Sequence, residues 1–160
     1  MISHLIGAGA AAASILVVSI TTQDAGVVQI AAERPTHTLS VIVRGARPNE
    51  GQVAISLFDN ASSFLETPRE LETVVVDAEG QPTFAFSNLE EGRYAVIATY
   101  DRDSDGELDT GFFGIPTEPV GYSNNVRRIG PPRWRDTNFV LRDDMSIIIH
   151  VSRVSQQGEN

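Results

Sequence analysis

Cysteine and lysine are both absent from this chain of 160 residues. Without cysteine, a disulfide framework, a thiolate nucleophile and a cysteine-ligated metal site are all excluded. The 12 basic residues are therefore all arginine, and against 21 acidic residues they leave a net charge of -9. Because nucleic-acid phosphates are bound by basic surfaces, this acidic balance argues against a nucleic-acid partner.

Helical periodicity is also missing after residue 37, since no stretch there repeats its apolar residues every 3.6 positions for the length of a substantial helix. From Thr38 onward, short runs rich in β-branched residues alternate with turn residues. This pattern predicts an all-β fold, an antiparallel immunoglobulin-like or transthyretin-like β-sandwich of about seven strands. The predicted strands are 38–44, 52–59, 73–78, 83–87, 93–100, 136–141 and 145–153.

The strand Arg93 to Tyr100 is apolar on both faces, which is typical of a central strand buried on two sides. A long Gly- and Pro-rich connection, Thr110 to Arg135, follows it. Its aromatic content favours one long ordered loop, and loops of this length are usually functional or disordered.

The N-terminus carries an uncharged apolar run, Leu5 to Ile20, that suits a signal-peptide core and is short for a membrane span. We therefore predict a signal peptide or N-terminal membrane-targeting segment at 1–32, a linker at 33–37, the sandwich domain at 38–153 and a polar tail at 154–160. We expect the protein to be exported, and to be periplasmic, associated with the envelope or secreted. Once the signal is cleaved, we expect no stable membrane span. An uncleaved anchor and a buried helix are the alternatives.

Asp101 to Asp109 is the stretch with the strongest chemical pattern, because oxygen-bearing residues recur at alternating positions around Gly106. This spacing follows the first half of a calcium loop, whose ligands stand at positions 1, 3, 5, 7 and 9. Position 12 is Phe112, so an EF-hand is excluded. The predicted calcium ligands are Asp101, Asp103, Asp105, Glu107 through its carbonyl, and Asp109.

The loop alone supplies too few oxygen ligands to complete the coordination shell of calcium. The missing ligands could come from Glu118, Asn124, Asn125 or water. The alternative is a solvated Asp-Gly turn without any ion. Against that alternative, closely spaced carboxylates repel one another unless a cation neutralises them.

The long loop offers a second kind of site, for a small molecule or a carbohydrate. Its candidate contacts combine aromatic rings, amides and guanidinium groups: Tyr122, Asn124, Asn125, Arg127, Arg128 and Trp134. The same arginines could instead pair with the acidic loop. A hydrolase whose catalytic groups meet only in the fold is a further alternative, although His37 and His150 lie in no catalytic motif.

The turn after the fourth predicted strand places Leu89, Gly92 and Tyr94 at the spacing of a signature found in transthyretin-like and carboxypeptidase-regulatory-like sandwiches. It predicts that Leu89 is buried, that Gly92 adopts a conformation closed to other residues, and that the Tyr94 hydroxyl bonds to nearby backbone.

With the acidic loop, this turn and four further segments resemble the domain of unknown function 2141 family. The segments are Gly114-Ile115-Pro116, Gly121-Tyr122-Ser123-Asn124-Asn125, Gly130-Pro131-Pro132 and the run Trp134-x-Asp136-x-x-Phe139. The resemblance implies an exported bacterial β-sandwich and no established activity. We expect a non-enzymatic, calcium-stabilised binding or structural module of the cell envelope, whose partner is an unknown protein or a small-molecule or carbohydrate ligand.

Overall fold

The computed structural model describes residues 34–107, 116–127 and 130–153. The predicted signal segment, the whole polar tail, and the candidate residues Asp109 and Arg128 lie outside these ranges. Eight strands are present in the described part: β1 Thr36–Arg44, β2 Gln52–Phe58, β3 Glu70–Val75, β4 Thr83–Glu90, β5 Gly92–Asp101, β6 Val120–Tyr122, β7 Phe139–Leu141 and β8 Met145–His150. A 3-10 turn, Ser123–Asn125, and a single helical turn α1, Trp134–Thr137, lie between β6 and β7.

The strands form two sheets, which confirms the predicted β-sandwich. One sheet has the order β4-β1-β8, and the other has the order β3-β2-β5-β6 with β7 also paired to β5. The pairing is antiparallel everywhere among the named strands except between β1 and β8, which run parallel. The prediction of an antiparallel sandwich is wrong at this pair. Parallel pairing requires a long crossover connection but does not change the apolar pattern of the two strands, so that pattern could not reveal it.

β5 is the central strand of its sheet, as its two apolar faces predicted. It pairs along its length with β2, from Gln52 opposite Asp101 to Phe58 opposite Ala95. Its other edge pairs first with β7 and then with β6. Asp101 therefore stands at the end of a strand that has neighbours on both sides.

The core lies between the two sheets and follows the two-residue period of the strands. Leu39, Val41 and Val43 of β1 are fully buried, as are Val53, Ile55 and Leu57 of β2. Burying one such side chain stabilises the fold by roughly 1.5–3 kcal/mol. Alternation alone identified these residues, since a strand with one buried face must alternate.

Each predicted strand differs from the observed one at one or both ends, and in two places local hydrogen bonds override the apolar pattern. β3 ends at Val75, and Asp77 then begins a turn in which its Oδ1 accepts bonds from the Glu79 and Gly80 amides, both at 3.2 Å. The predicted strand 136–141 shortens to Phe139–Leu141 because the chain before it forms α1. β6 was not predicted.

The turn between β4 and β5 confirms two of its three predictions. Leu89 is fully buried, and the Tyr94 hydroxyl donates a hydrogen bond to the Glu90 carbonyl at 2.9 Å. The prediction for Gly92 is wrong, since the residue with positive φ in this turn is Asn88, at 58°. Asparagine tolerates the left-handed region because its short side chain bonds locally.

In the part of the chain that the structure describes, no helix is long and apolar enough to cross a membrane.

Candidate metal-binding loop

Asp101 anchors the acidic loop, and its carboxylate is buried with only 5% of the residue exposed. Oδ1 accepts a hydrogen bond from the Ser104 amide at 2.7 Å. Oδ2 accepts two bonds, from the Gly106 amide at 3.0 Å and from Gln52 Nε2 at 2.7 Å. The first residue of the motif therefore closes the loop onto itself and fastens it to β2.

These hydrogen bonds favour the ionised form of the Asp101 carboxyl group. Burial by itself raises the pKa of a carboxyl, but the bonds from Gln52, Gly106 and Ser104 together hold the pKa of Asp101 below its ordinary value. Asp101 is therefore ionised at neutral pH.

Asp103 and Asp105 are exposed, and their carboxylates turn toward the same region as that of Asp101. One oxygen from each of the three residues lies within 4.8 Å of the other two. Calcium binds oxygen at about 2.3–2.6 Å, so two ligands on opposite sides of the ion stand about 5 Å apart. The three oxygens are thus spaced closely enough to touch one calcium ion.

The backbone of the loop explains this convergence. Ser104 and Gly106 both have positive φ, 61° and 81°, so the chain turns twice within three residues. The Glu107 amide donates a bond to Asp105 Oδ1 at 2.8 Å, which holds that carboxylate in the turn. The Glu107 side chain is exposed, and its predicted role through the carbonyl stays a prediction, as does that of Asp109.

The loop rests closely on the chain before β2. Gly51 has φ 71°, and a Cβ atom there would overlap the Asp101 carbonyl oxygen and lie 2.8 Å from Arg102 Cα. Only glycine allows both this backbone conformation and this approach.

Glu118 joins the long connection to the acidic loop within the described residues. The Arg102 amide donates a hydrogen bond to Glu118 Oε1 at 3.2 Å, and Glu118 is buried with 5% exposed. Glu118 and Asp103 also line one cleft of about 420 Å³. Of the residues suggested as an extra calcium ligand, Glu118 is therefore the one that contacts the loop.

The two asparagines suggested for the same purpose hold other parts of the chain. Asn124 Nδ2 donates to the carbonyls of Asp136 and Asn138, both at 3.1 Å. The Asn125 amide donates to the Ile148 carbonyl and accepts from the His150 amide, both at 2.9 Å. Both side chains tie the 3-10 turn to its neighbours.

The remaining candidates for the small-molecule site are spread over this region. Tyr122 is buried in β6 with 8% exposed, and Arg127 is exposed. Trp134 is partly buried, and its ring packs edge-on against Phe64 at a centroid distance of 5.6 Å. Ligand binding by these residues stays a prediction.

The family of the chain follows from a match over residues 41–148, which run from within β1 into β8 and include the whole acidic loop. The matching family model is described as an uncharacterised protein conserved in bacteria, DUF2141. The chain belongs to the DUF2141 family. No curated protein and no solved structure matches it.

Within this DUF2141 domain, sequence reasoning missed the polar partners that hold the acidic loop. Gln52 lies opposite Asp101 only because β2 and β5 pair in that register. Glu50 accepts bonds from Arg102 Nη2 at 2.8 Å and Nε at 3.1 Å, and the bond from Arg102 is the main cause that holds the pKa of Glu50 below its ordinary value. No local signal marks these pairs, which are about 50 residues apart in the chain.

Proposed function

We propose that this DUF2141 domain is a non-enzymatic, calcium-stabilised binding or structural module of an exported bacterial protein. The observation that carries the proposal is the convergence of the Asp101, Asp103 and Asp105 carboxylates within 4.8 Å. Every group is an oxygen ligand, which suits a hard cation such as calcium.

Hydrogen bonds within the loop fix its shape, and a fixed site lowers the cost of binding an ion. The buried carboxylate of Asp101 already orders the backbone from Ser104 to Gly106. A carboxylate has about four lone-pair sites, so Asp101 retains capacity for a cation beside its bonds to backbone and Gln52. A cation would also relieve the repulsion among the three carboxylates.

Calcium would stabilise the fold by restraining the chain where it leaves β5. Asp101 ends the central strand, and Arg102 connects to Glu118 of the long connection. A bound ion would thus restrain the segment that links the central strand to β6. Modules outside the cytoplasm bind calcium with dissociation constants of about 0.1–1 mM, which fits the proposed export.

A thermal melt of the full chain tests calcium binding. With such an affinity, 5 mM calcium stabilises the folded state by about 1–2 kcal/mol relative to EDTA. The melting temperature then rises by about 3–10 °C. Magnesium at the same concentration should raise it less, because that ion demands a smaller octahedral shell.

Two variants with the same change in charge sharpen the test. Asp103→Asn removes a proposed ligand and should abolish most of the calcium-dependent rise. Asp143→Asn removes an exposed carboxylate from the turn between β7 and β8 and should leave the rise intact. Equal responses of the two variants, or no response of the natural chain, would overturn the proposal.

The export part of the proposal is supported by the apolar run Leu5 to Ile20. Expression of the full chain in a bacterium, followed by fractionation and mass spectrometry of the N-terminus, tests it. We expect a periplasmic or secreted product that begins near residue 33. An intact chain in the cytoplasm would contradict export without touching calcium binding.

The small-molecule or carbohydrate alternative has weaker support. The amides of Asn124 and Asn125 are occupied by backbone groups, and Tyr122 is buried. The two histidines weighed for a hydrolase lie at opposite ends of the β1–β8 pair, so they share no site. These observations favour the calcium-stabilised module.

A further inference from the structure

Three arginines line one cleft of about 280 Å³ beside the acidic loop, although the chain as a whole is strongly acidic. The lining contains no acidic side chain and comprises Gly45, Arg47, Tyr100, Arg102, Pro119, Val151, Ser152 and Arg153. These residues come from four separate segments: the chain after β1, the end of β5, the approach to β6 and the chain after β8. Only the tertiary structure brings the three arginines to one cleft.

Direct ion pairs among the described residues neutralise only part of this charge. Arg102 binds Glu50 Oε1 through two of its nitrogens, at 2.8 and 3.1 Å, and Arg47 reaches Glu50 Oε2 at 3.4 Å. The single carboxylate of Glu50 therefore pairs with the guanidinium groups of both Arg47 and Arg102. Arg153 is exposed and forms no ion pair with any residue in the described ranges. The three arginines and Glu50 together carry a net positive charge.

The backbone that carries the arginines is held in place by hydrogen bonds. The Tyr100 hydroxyl donates to the Glu50 carbonyl at 2.9 Å and accepts from the Arg47 amide at 3.2 Å. Ser152, next to Arg153, exchanges two backbone bonds with Val120, both at 3.1 Å. The cleft is therefore built on ordered backbone at the end of the sandwich.

We propose that this cleft is a binding site for a small oxyanion, a carboxylate or a phosphate group held by Arg47, Arg102 and Arg153. Each guanidinium presents five N–H donors, so donors remain after the bonds to Glu50 are counted. Planar guanidinium groups bind carboxylate and phosphate with paired, charge-assisted hydrogen bonds. The cleft volume suits a single anionic group and not a drug-sized ligand.

The adjoining larger cleft indicates what the anionic group is attached to. Arg102 and Arg153 line both clefts, and the larger one adds Glu50, Asp103, Thr117 and Glu118. Its carboxylates disfavour a second anionic group. The ligand therefore has one anionic end and a neutral or cationic remainder, and the larger cleft shares Asp103 and Glu118 with the proposed calcium site.

Calorimetric titration of the full chain with inorganic phosphate and, separately, with acetate tests the assignment at constant ionic strength. One series uses chain stripped of divalent ions in buffer without chelator, because EDTA is a polycarboxylate that would compete for the cleft, and a second acetate series contains 1 mM calcium. We expect saturable binding of at least one of the two anions, and the stronger of them identifies the class of anionic group. Absence of saturable binding of both would overturn the proposal, as would binding that requires calcium.

A matched pair of variants separates this cleft from general electrostatics. Arg153→Gln removes the arginine that forms no ion pair with the described residues and should weaken anion binding about tenfold, since a charge-assisted bond is lost. Arg142→Gln makes the same change in charge at an exposed residue that pairs with Glu91 at the opposite end of β5, and should leave binding unchanged. Equal losses in both variants would show that the anion responds to overall charge, and the proposal would be wrong. Unchanged melting temperatures without anion confirm that both variants fold.

Discussion

Replacing Asp101 by asparagine tests whether this buried carboxylate organises the loop even without metal. The carboxylate accepts three hydrogen bonds, from Ser104 on Oδ1 and from Gly106 and Gln52 on Oδ2. An amide has one oxygen, so in either orientation its NH₂ group faces a backbone N–H. Gln52 can turn its own amide to adapt, but a backbone N–H cannot.

The expected cost follows from that conflict. One hydrogen bond to a charged acceptor is lost, worth about 1.5–3 kcal/mol, and the remaining bonds lose their charge assistance. The neutral amide is easier to bury, which offsets part of the loss. We expect Asp101→Asn to destabilise the domain by about 2 kcal/mol and to lower its melting temperature by roughly 6–10 °C.

The assay is a urea or thermal melt in EDTA at pH 7, with Asp105→Asn as the control. Asp105 is exposed in the same loop, and an asparagine there can still accept the bond from the Glu107 amide. This control should change stability by no more than about 0.5 kcal/mol. If both variants were equally stable, Asp101 would not organise the loop.

The pH dependence gives an independent check. Because the pKa of Asp101 is lowered in the folded state, its contribution is fully present above the unfolded pKa of about 3.9. The contribution is lost as the pH falls through the lower, folded pKa. The stability gap between the natural chain and Asp101→Asn should therefore narrow between pH 5 and pH 2.5. A constant gap over that range would refute the reasoning.

Two further predictions concern the scaffold of the site. Ser123→Ala should destabilise the domain by about 2–4 kcal/mol in a urea melt, because the buried hydroxyl accepts from the Val96 amide at 2.9 Å and donates to the Thr137 carbonyl at 2.7 Å. A loss below about 0.5 kcal/mol would contradict this role. Gly51→Ala should prevent the loop from seating and unfold much of the protein, whereas Gly106→Ala, with nothing within 4 Å of its new Cβ, should cost only about 1–2 kcal/mol. Equal solubility and equal melting temperatures of these two glycine variants would contradict the packing argument.

Local patterns predicted the features that depend on neighbouring residues in the chain. The two-residue alternation of Leu39, Val41 and Val43 marks a strand with one buried face, and these residues are fully buried. The spacing of Leu89 and Tyr94 predicted a buried plug and a hydroxyl bond, and both are present. The spacing of Asp101, Asp103 and Asp105 predicted carboxylates that converge, because a tight turn brings alternate residues to one side.

Features that depend on pairing between distant segments were not predictable in this way. The parallel pairing of β1 with β8 depends on where a crossover of about a hundred residues returns, which strand periodicity does not encode. β6 is only three residues long and forms because β5 has an open edge beside it. The predicted strand 136–141 failed at its start because side-chain and backbone bonds from Thr137 to Arg133 favour a helical turn there.

The acidic loop also combines features set by neighbouring residues with features set by distant segments. The sequence determined by itself the types of the candidate ligands, their spacing and the position of the turn glycine, since these are properties of nine consecutive residues. Only the tertiary structure decided that Gln52 and Glu118 hold the loop in place, and that Arg47, Arg102 and Arg153 share a cleft beside it. The physical reason is that short-range geometry follows from covalent connection, whereas the partners of a buried carboxylate or a guanidinium group depend on which strand ends the packed sheets bring together.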